Sequence, residues 1–322
     1  MPQRRILITG GAGFIGVPTT DAFATAGDDV VVVDNFEVGH RSRLDHLATH
    51  DNVSIVELDL RDRLAVESVV HEIAPTHVVH LAAHHFIPFC IAHPADTVDV
   101  NVAGTQHLLD ALVAVEPRRI VFASTADVYQ PAPHAHVEVD AVEPNNIYGA
   151  SKRMGEQLME FHHRRCPETD VVVARFFNAV GPGETNPHLI PDILDYMRDG
   201  DVLPLGNVDT RRDYIFTGDM ARALRMMVDG PEGSFTVNLG TGRSYTAREV
   251  VAELGSLTGR QLEIETAPAK VRVSDRPVLQ ASTRRLHMLL PEFEVTSLRD
   301  SLKATLVGEG FPVEQPTPTA RV

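Results

Sequence analysis

Apolar residues in the first half of the chain fall into two alternating patterns. Short continuous runs rich in Val, Ile and Leu read as strands at residues 5–9, 30–34, 53–58, 77–81, 119–124 and 171–176. Between them, apolar positions recur at helical spacing over 14–26, 64–73, 99–115 and 148–164. Strands with so little polar alternation are buried on both faces, which points to a parallel sheet covered by helices. Repeated strand–helix units with right-handed crossovers predict an α/β fold, a doubly wound parallel sheet of about seven strands. After Phe177 the pattern loosens. Turns at Gly181-Pro182-Gly183 and Asn186-Pro187 lead into short mixed elements up to about Leu306, expected to form a smaller C-terminal lobe.

The first strand meets Gly10, Gly13 and Gly16 and then an apolar-periodic helix. Such a junction brings a helix N-terminus up to a pyrophosphate. The first glycine permits the turn, the second lets backbone approach phosphate, and the third lets helix pack on strand. The second strand ends in Asp34, where a carboxylate can accept hydrogen bonds from ribose hydroxyls and repel a 2′-phosphate. The expected cofactor is therefore NAD rather than NADP. The chain is divided accordingly: 1–178 as the NAD-binding unit, 179–311 mainly as a substrate lobe with some segments returning to the first unit, and 312–322 as a mobile tail carrying three prolines.

Composition narrows the partners. The 29 basic and 44 acidic residues leave a net charge of −15, which argues against a nucleic-acid backbone as partner. An anionic substrate must then be held by a few local arginines. At 322 residues a sizeable core can form. No apolar run exceeds strand length, and the N-terminus enters a strand without a signal peptide's apolar segment, so no membrane contact and a cytoplasmic location are expected. Cys90 and Cys166 read as small buried apolar residues in a reducing compartment.

Tyr148 and Lys152 stand four apart on a predicted helix and so share a face. An ammonium there, with an oxidised nicotinamide, would lower the tyrosine pKa and let it take a proton from a sugar hydroxyl. Thr125, at the end of the fifth strand, can hydrogen-bond the same oxygen. His80, His84 and His85 invite a metal reading, but they continue a strand end without an acidic or cysteine ligand beside them. They are read as structural or substrate-contacting residues, with no metal expected. His162-His163 suits a helix C-terminus.

These residues resemble the extended short-chain dehydrogenase/reductase family, the nucleotide-sugar epimerases and dehydratases, over nearly the whole chain. The likeness runs through Thr9–Gly16, Asp34-Asn35, Asp59-Leu60, His80–Ala83, Asn101–Thr105, the Ser124/Thr125–Tyr148–Lys152 set, and Arg175–Asn178 followed by Gly181-Pro182-Gly183. It implies cofactor contacts from Phe14, Ile15, Asn35, Asp59, Leu60, Leu81, Ala82, Ala83, Asn101 and Ser124, beside the three glycines, Asp34, Tyr148 and Lys152. Tyr148, Lys152 and Thr125 are its implied catalytic residues. Substrate contacts are implied for His85, Thr125, Ala126, Asp127, Tyr148, Asn178, Arg212 and Arg276, the two arginines as diphosphate ligands whose forks bind two oxygens at once. Homodimers of the family pair the helices matching 99–115 and 148–164. Val102, Leu108, Leu109, Leu112, Met154, Leu158 and Phe161 fit that pairing and equally fit core packing.

The dehydratases of the family carry an Asp-Glu pair directly after the active-site threonine, where this chain has Ala126-Asp127. Loss of the first acid favours a 4-epimerase, which oxidises C4, turns the keto-sugar and returns hydride to the other face. Asp127 keeps a dehydratase or decarboxylase as the alternative, and a non-catalytic NAD-binding protein is a third. A uridine diphosphate sugar is the family-level expectation for the substrate. Gln130 stands where the family usually has glycine.

Overall fold

A computed structural model of the protein describes residues 4–47, 50–271 and 276–314. The chain begins with β1 (Arg5–Thr9), α1 (Gly16–Thr25), β2 (Asp29–Asp34), β3 (Val53–Glu57), α2 (Arg63–Ile73), β4 (His77–His80), α3 (Ile87–Ala92) and α4 (Pro94–Val98). It continues with α5 (Thr105–Leu112), β5 (Arg119–Thr125), α6 (Ile147–Arg165), β6 (Asp170–Phe176), β7 (Asn178–Val180), α7 (Leu189–Asp199), β8 (Val202–Leu205) and β9 (Arg211–Phe216). Last come α8 (Thr217–Asp229), β10 (Phe235–Leu239), β11 (Ser244–Thr246), α9 (Ala247–Thr258), β12 (Glu263–Thr266), β13 (Val278–Leu279), α10 (Arg284–Leu289) and α11 (Leu298–Gly308).

Seven strands form one sheet in the order β10-β6-β5-β4-β1-β2-β3, every neighbouring pair parallel. The chain winds outward from β1 to β3 and then crosses to β4 on the other side of β1. The order therefore reverses between β1 and β4, and the crevice beyond their C-terminal ends is where such sheets bind ligands. Side chains alternate between two cores. Ile6 and Ile8 pack with Phe23 and Leu224 on one face, and Leu7 packs with Val66, Leu108 and Phe122 on the other. Burial on both faces is why these strands carry no polar alternation.

The C-terminal lobe has its own core of Ile193, Leu194, Leu203, Val250, Leu254 and Leu302. Its strands are β11-β9-β13, with β7 added to β9, and a separate β12-β8 pair. The chain does not stay in the lobe. Helix α8 packs against α1, contributing Met220, Ala223 and Leu224 to the core below the main sheet. Strand β10 then extends that sheet beside β6. Buried Arg119 ties this return to the sheet, donating to the carbonyls of Met227 and Pro231 and to Asp170.

Several elements depart from the sequence pattern. The seventh strand, at 235–239, is not marked by a continuous apolar run, because Phe-Thr-Val-Asn-Leu alternates apolar and polar residues at the sheet edge. The helix expected over 99–115 opens as a π-helical turn, Asp99–Gly104, before α5 begins. The wider turn carries Asn101 inward. Leu108, Leu109 and Leu112 are fully buried core, whereas Met154 and Phe161 of α6 are exposed. Gln130 needs no glycine backbone: its φ is not positive, and its amide donates to the Ala141 carbonyl. Of the tail read as mobile, 312–314 are described, with the Glu314 amide bonded to the Leu257 carbonyl; 315–322 lie outside the described residues. Cys90 and Cys166 are buried free thiols. Among the described residues no helix is long and apolar enough to cross a membrane.

Candidate active site

The glycine loop follows β1 into the crevice. Gly10 has φ +73°, and a Cβ there would lie 2.7 Å from the Ala82 backbone nitrogen. A Cβ on Gly16 would collide with the Gly10 carbonyl oxygen. Only glycine closes this turn against β4. The N-terminus of α1 has no side-chain cap and no acidic residue in its first turn, so its positive dipole end remains available to an anion. Asp34 braces the loop: its carboxylate accepts from the Ala12 amide at 3.0 Å and the Phe36 amide at 2.8 Å. Each oxygen keeps lone pairs for a ribose hydroxyl. Beside it Asp59 accepts from Arg61, the Asn35 amide nitrogen and the Arg61 backbone. The Arg61 guanidinium above all holds the Asp59 carboxyl well below the usual carboxylate range.

One cavity of about 1270 Å³ runs from this loop to the C-terminal lobe. Pockets of roughly 300–1,000 Å³ suit one drug-sized ligand, so this space accepts more than one. It is lined by Gly10, Gly13, Phe14, Ile15, Gly16, Asp34, Asn35, Asp59, Leu60, Leu81, Ala82, Ala83, Ser124, Tyr148 and Lys152. His85, Thr125, Ala126, Asp127, Asn178, Arg212 and Arg276 line it too.

Asn101 is a correction, since it lines no part of the cavity. Its amide is spent on both backbone groups of His84 and on the Ser151 hydroxyl, so it shapes the His84 loop instead. Ser124 reaches the lining, but its hydroxyl donates to Glu156. His80 is likewise structural: buried between Thr9 and Thr105, it is pushed down to about 3 by burial and then by Lys152, and stays neutral.

Tyr148 and Lys152 come from the first turns of α6, which Asn146 caps by accepting from the Gly149 amide at 2.8 Å. The Tyr148 side chain is half-buried and opens on the cavity beside Thr125. The expected lowering of its pKa is not what the protein's own groups produce. Desolvation of the hydroxyl, and then the negative charge of Asp127, push it up. Lys152 adds no firm compensating charge, because burial brings it down to about 7, with Glu156 opposing the fall. Its ammonium lies 4.7 Å above the Phe122 ring.

On the lobe side, Asn178 presents a buried Oδ1 without a hydrogen-bond partner, an acceptor that a ligand N–H or O–H can satisfy. Buried Arg276 bonds the carbonyls of Ala126 and Asp127 and the Asn145 side chain, and stands 3.7 Å from the Asp127 carboxylate. Of the neighbouring arginines, Arg212 lines the cavity, while Arg211 is turned onto Ser244 and Glu249. Arg43, Glu184, Asn186 and His188 also line it and are absent from the sequence-based set. The turn signals at 181–187 mark the loop of the last three, but not that it folds back over the crevice.

The observed cradle fits a dinucleotide: a turn that excludes side chains, an uncapped helix N-terminus and a carboxylate at the end of β2. Residues 6–240 match the NAD dependent epimerase/dehydratase family. The UDP-glucose 4-epimerase of Halalkalibacterium halodurans is 32% identical over 311 residues, covering 88% of this chain and 89% of the relative. The UDP-glucose 4-epimerase of Brucella ovis, crystallised with NAD, superposes with a TM-score of 0.86 at 30% identity, covering 97% of this chain and all of the other. TunA, an NAD-dependent NDP-hexosamine 5,6-dehydratase of tunicamycin biosynthesis, superposes with a TM-score of 0.83 at 27% identity, covering 95% and 97%.

Proposed function

Because the chain belongs to the NAD dependent epimerase/dehydratase family, we propose that it is a nucleotide-sugar 4-epimerase acting on a UDP-linked sugar. The observation that carries this reading is a single cavity lined both by the glycine cradle and by Tyr148, Lys152 and Thr125. Bound in that cradle, NAD supplies a hydride acceptor and donor for the sugar carbon. The glycine loop, Asp34 and Asp59 hold the coenzyme. Asn178, Arg212 and Arg276 hold the diphosphate end of the substrate, and His85 and Asp127 flank the sugar. Tyr148 takes the proton from the C4 hydroxyl and later gives it back, with Thr125 fixing the oxygen's position.

A lyase on the same scaffold has TunA as a structural relative. Sequence relatives such as the Halalkalibacterium halodurans protein are UDP-glucose 4-epimerases, and Ala126 has no acid to offer. Incubation with a panel of UDP-sugars is expected to give a product of unchanged mass with inverted C4. A product lighter by water or carbon dioxide overturns the proposal.

The environment of Tyr148 supplies a second test. A base acts in its deprotonated form, so kcat/KM rises with pH through its titration. Asp127→Asn removes a like charge and is expected to move that limb to lower pH without changing product mass. An unmoved limb removes Tyr148 from the role of base. The reading includes a homodimer, supported by the exposed Met154 and Phe161 on α6, and a cytoplasmic location, supported by the two free thiols.

A further inference from the structure

We propose that His85, Glu184 and His188 form a divalent transition-metal site in the wall of the cavity, distinct from the cofactor cradle. Their ligand atoms all lie within 4.8 Å of one another. Two imidazoles and one carboxylate are the donor set of three-ligand zinc sites that keep a position open. Bringing these atoms to the spacing of about 3.3 Å that 2.0–2.1 Å metal bonds require takes side-chain movements of about 1 Å.

The hydrogen bonds around the cluster already orient it for a cation. His85 Nε2 lies 3.2 Å from the Asn186 amide nitrogen. With the amide in this orientation Nε2 is the acceptor, the tautomer that leaves its lone pair facing Asn186. The same Asn186 nitrogen lies 3.2 Å from Glu184 Oε1. A positive N–H group thus sits between two acceptors, in the place a cation would take. The His188 ring stacks on His85 at 5.9 Å and meets Phe86 edge-to-face at 5.4 Å.

The nitrogen-rich set favours zinc, cobalt or nickel over magnesium or calcium, which prefer all-oxygen sites. Arg43 lies within electrostatic reach of Glu184 and already counters part of its charge. The described residues hold one other such cluster, His134, His136 and Asp140. There both imidazoles already bond the same Asp140 oxygen, together with the Val137 amide, so that oxygen is saturated.

The site stands or falls on metal binding alone, independently of the epimerase reading. Equilibrium dialysis of the full chain against micromolar zinc chloride, without nucleotide or sugar, is expected to leave about one zinc per chain. Glu184→Gln and His188→Asn, each checked for unchanged circular dichroism, should weaken binding at least about tenfold, and His134→Asn should not. Cobalt in place of zinc should give visible ligand-field bands that either of the first two substitutions abolishes. Zinc binding that survives both substitutions, vanishes with His134→Asn, or is absent from the wild-type chain overturns the assignment.

Discussion

Tyr148→Phe is expected to lower kcat by about 10²–10⁴-fold, the range that a positioned general acid–base group contributes. Bound cofactor should stay at the wild-type level. The substitution removes one hydroxyl and keeps the ring, and Thr125 keeps its hydrogen bond from the Asp127 amide. The fold therefore loses little. The loss should fall on kcat rather than KM, because the hydroxyl acts on the reacting oxygen and not on the diphosphate. Turnover with a UDP-sugar, read beside the nicotinamide content of the purified protein, checks both halves. A variant that turns over at the wild-type rate would remove Tyr148 from the chemistry.

Glu156→Gln should destabilise the fold by about 3–5 kcal/mol, the cost of leaving one partner of a buried ion pair alone. Glu156 and Arg175 are 2% and 5% exposed and meet through two hydrogen bonds of 2.8 and 2.9 Å. Ser124 and Arg153 add two more to the same carboxylate. The amide of glutamine cannot satisfy the guanidinium, which is also stacked 4.7 Å from Tyr129. Burial alone pushes the Glu156 carboxyl up, but Arg175, Ser124 and Arg153 together hold it below its ordinary value. A carboxylate with a depressed folded pKa stabilises above its unfolded value of about 4.3 and loses that contribution as the pH falls through the folded one. Thermal melts should therefore differ most between wild type and variant at neutral pH and converge below about pH 4. Equal melting temperatures at pH 7 would refute the assignment.

The parallel sheet was legible because its strands are buried twice over, and runs such as Val30–Val33 leave no other solution. The glycine turn was legible because its geometry tolerates no side chain. What escaped depends on distance in space. Glu184 and His188 lie about a hundred positions from His85 in the sequence, and only the folding of the 181–188 loop over the crevice unites them. The raised pKa of Tyr148 escaped for a related reason: desolvation is a property of the packed site, and residue spacing carries no measure of it. Asn101 was assigned to the cofactor from its neighbours in the chain, whereas the π-helical turn aims it at the His84 backbone.

The return of α8 and β10 to the main sheet makes the two lobes interdependent. The first 178 residues, cut free, would expose the face of α1 that α8 covers and the edge of β6 that β10 closes. The half that carries the glycine cradle is thus finished only by chain that has already threaded through the C-terminal lobe, and neither can be lifted out as an autonomous cassette. Transplanting a new sugar preference into this scaffold means rewriting loops in place, not exchanging lobes.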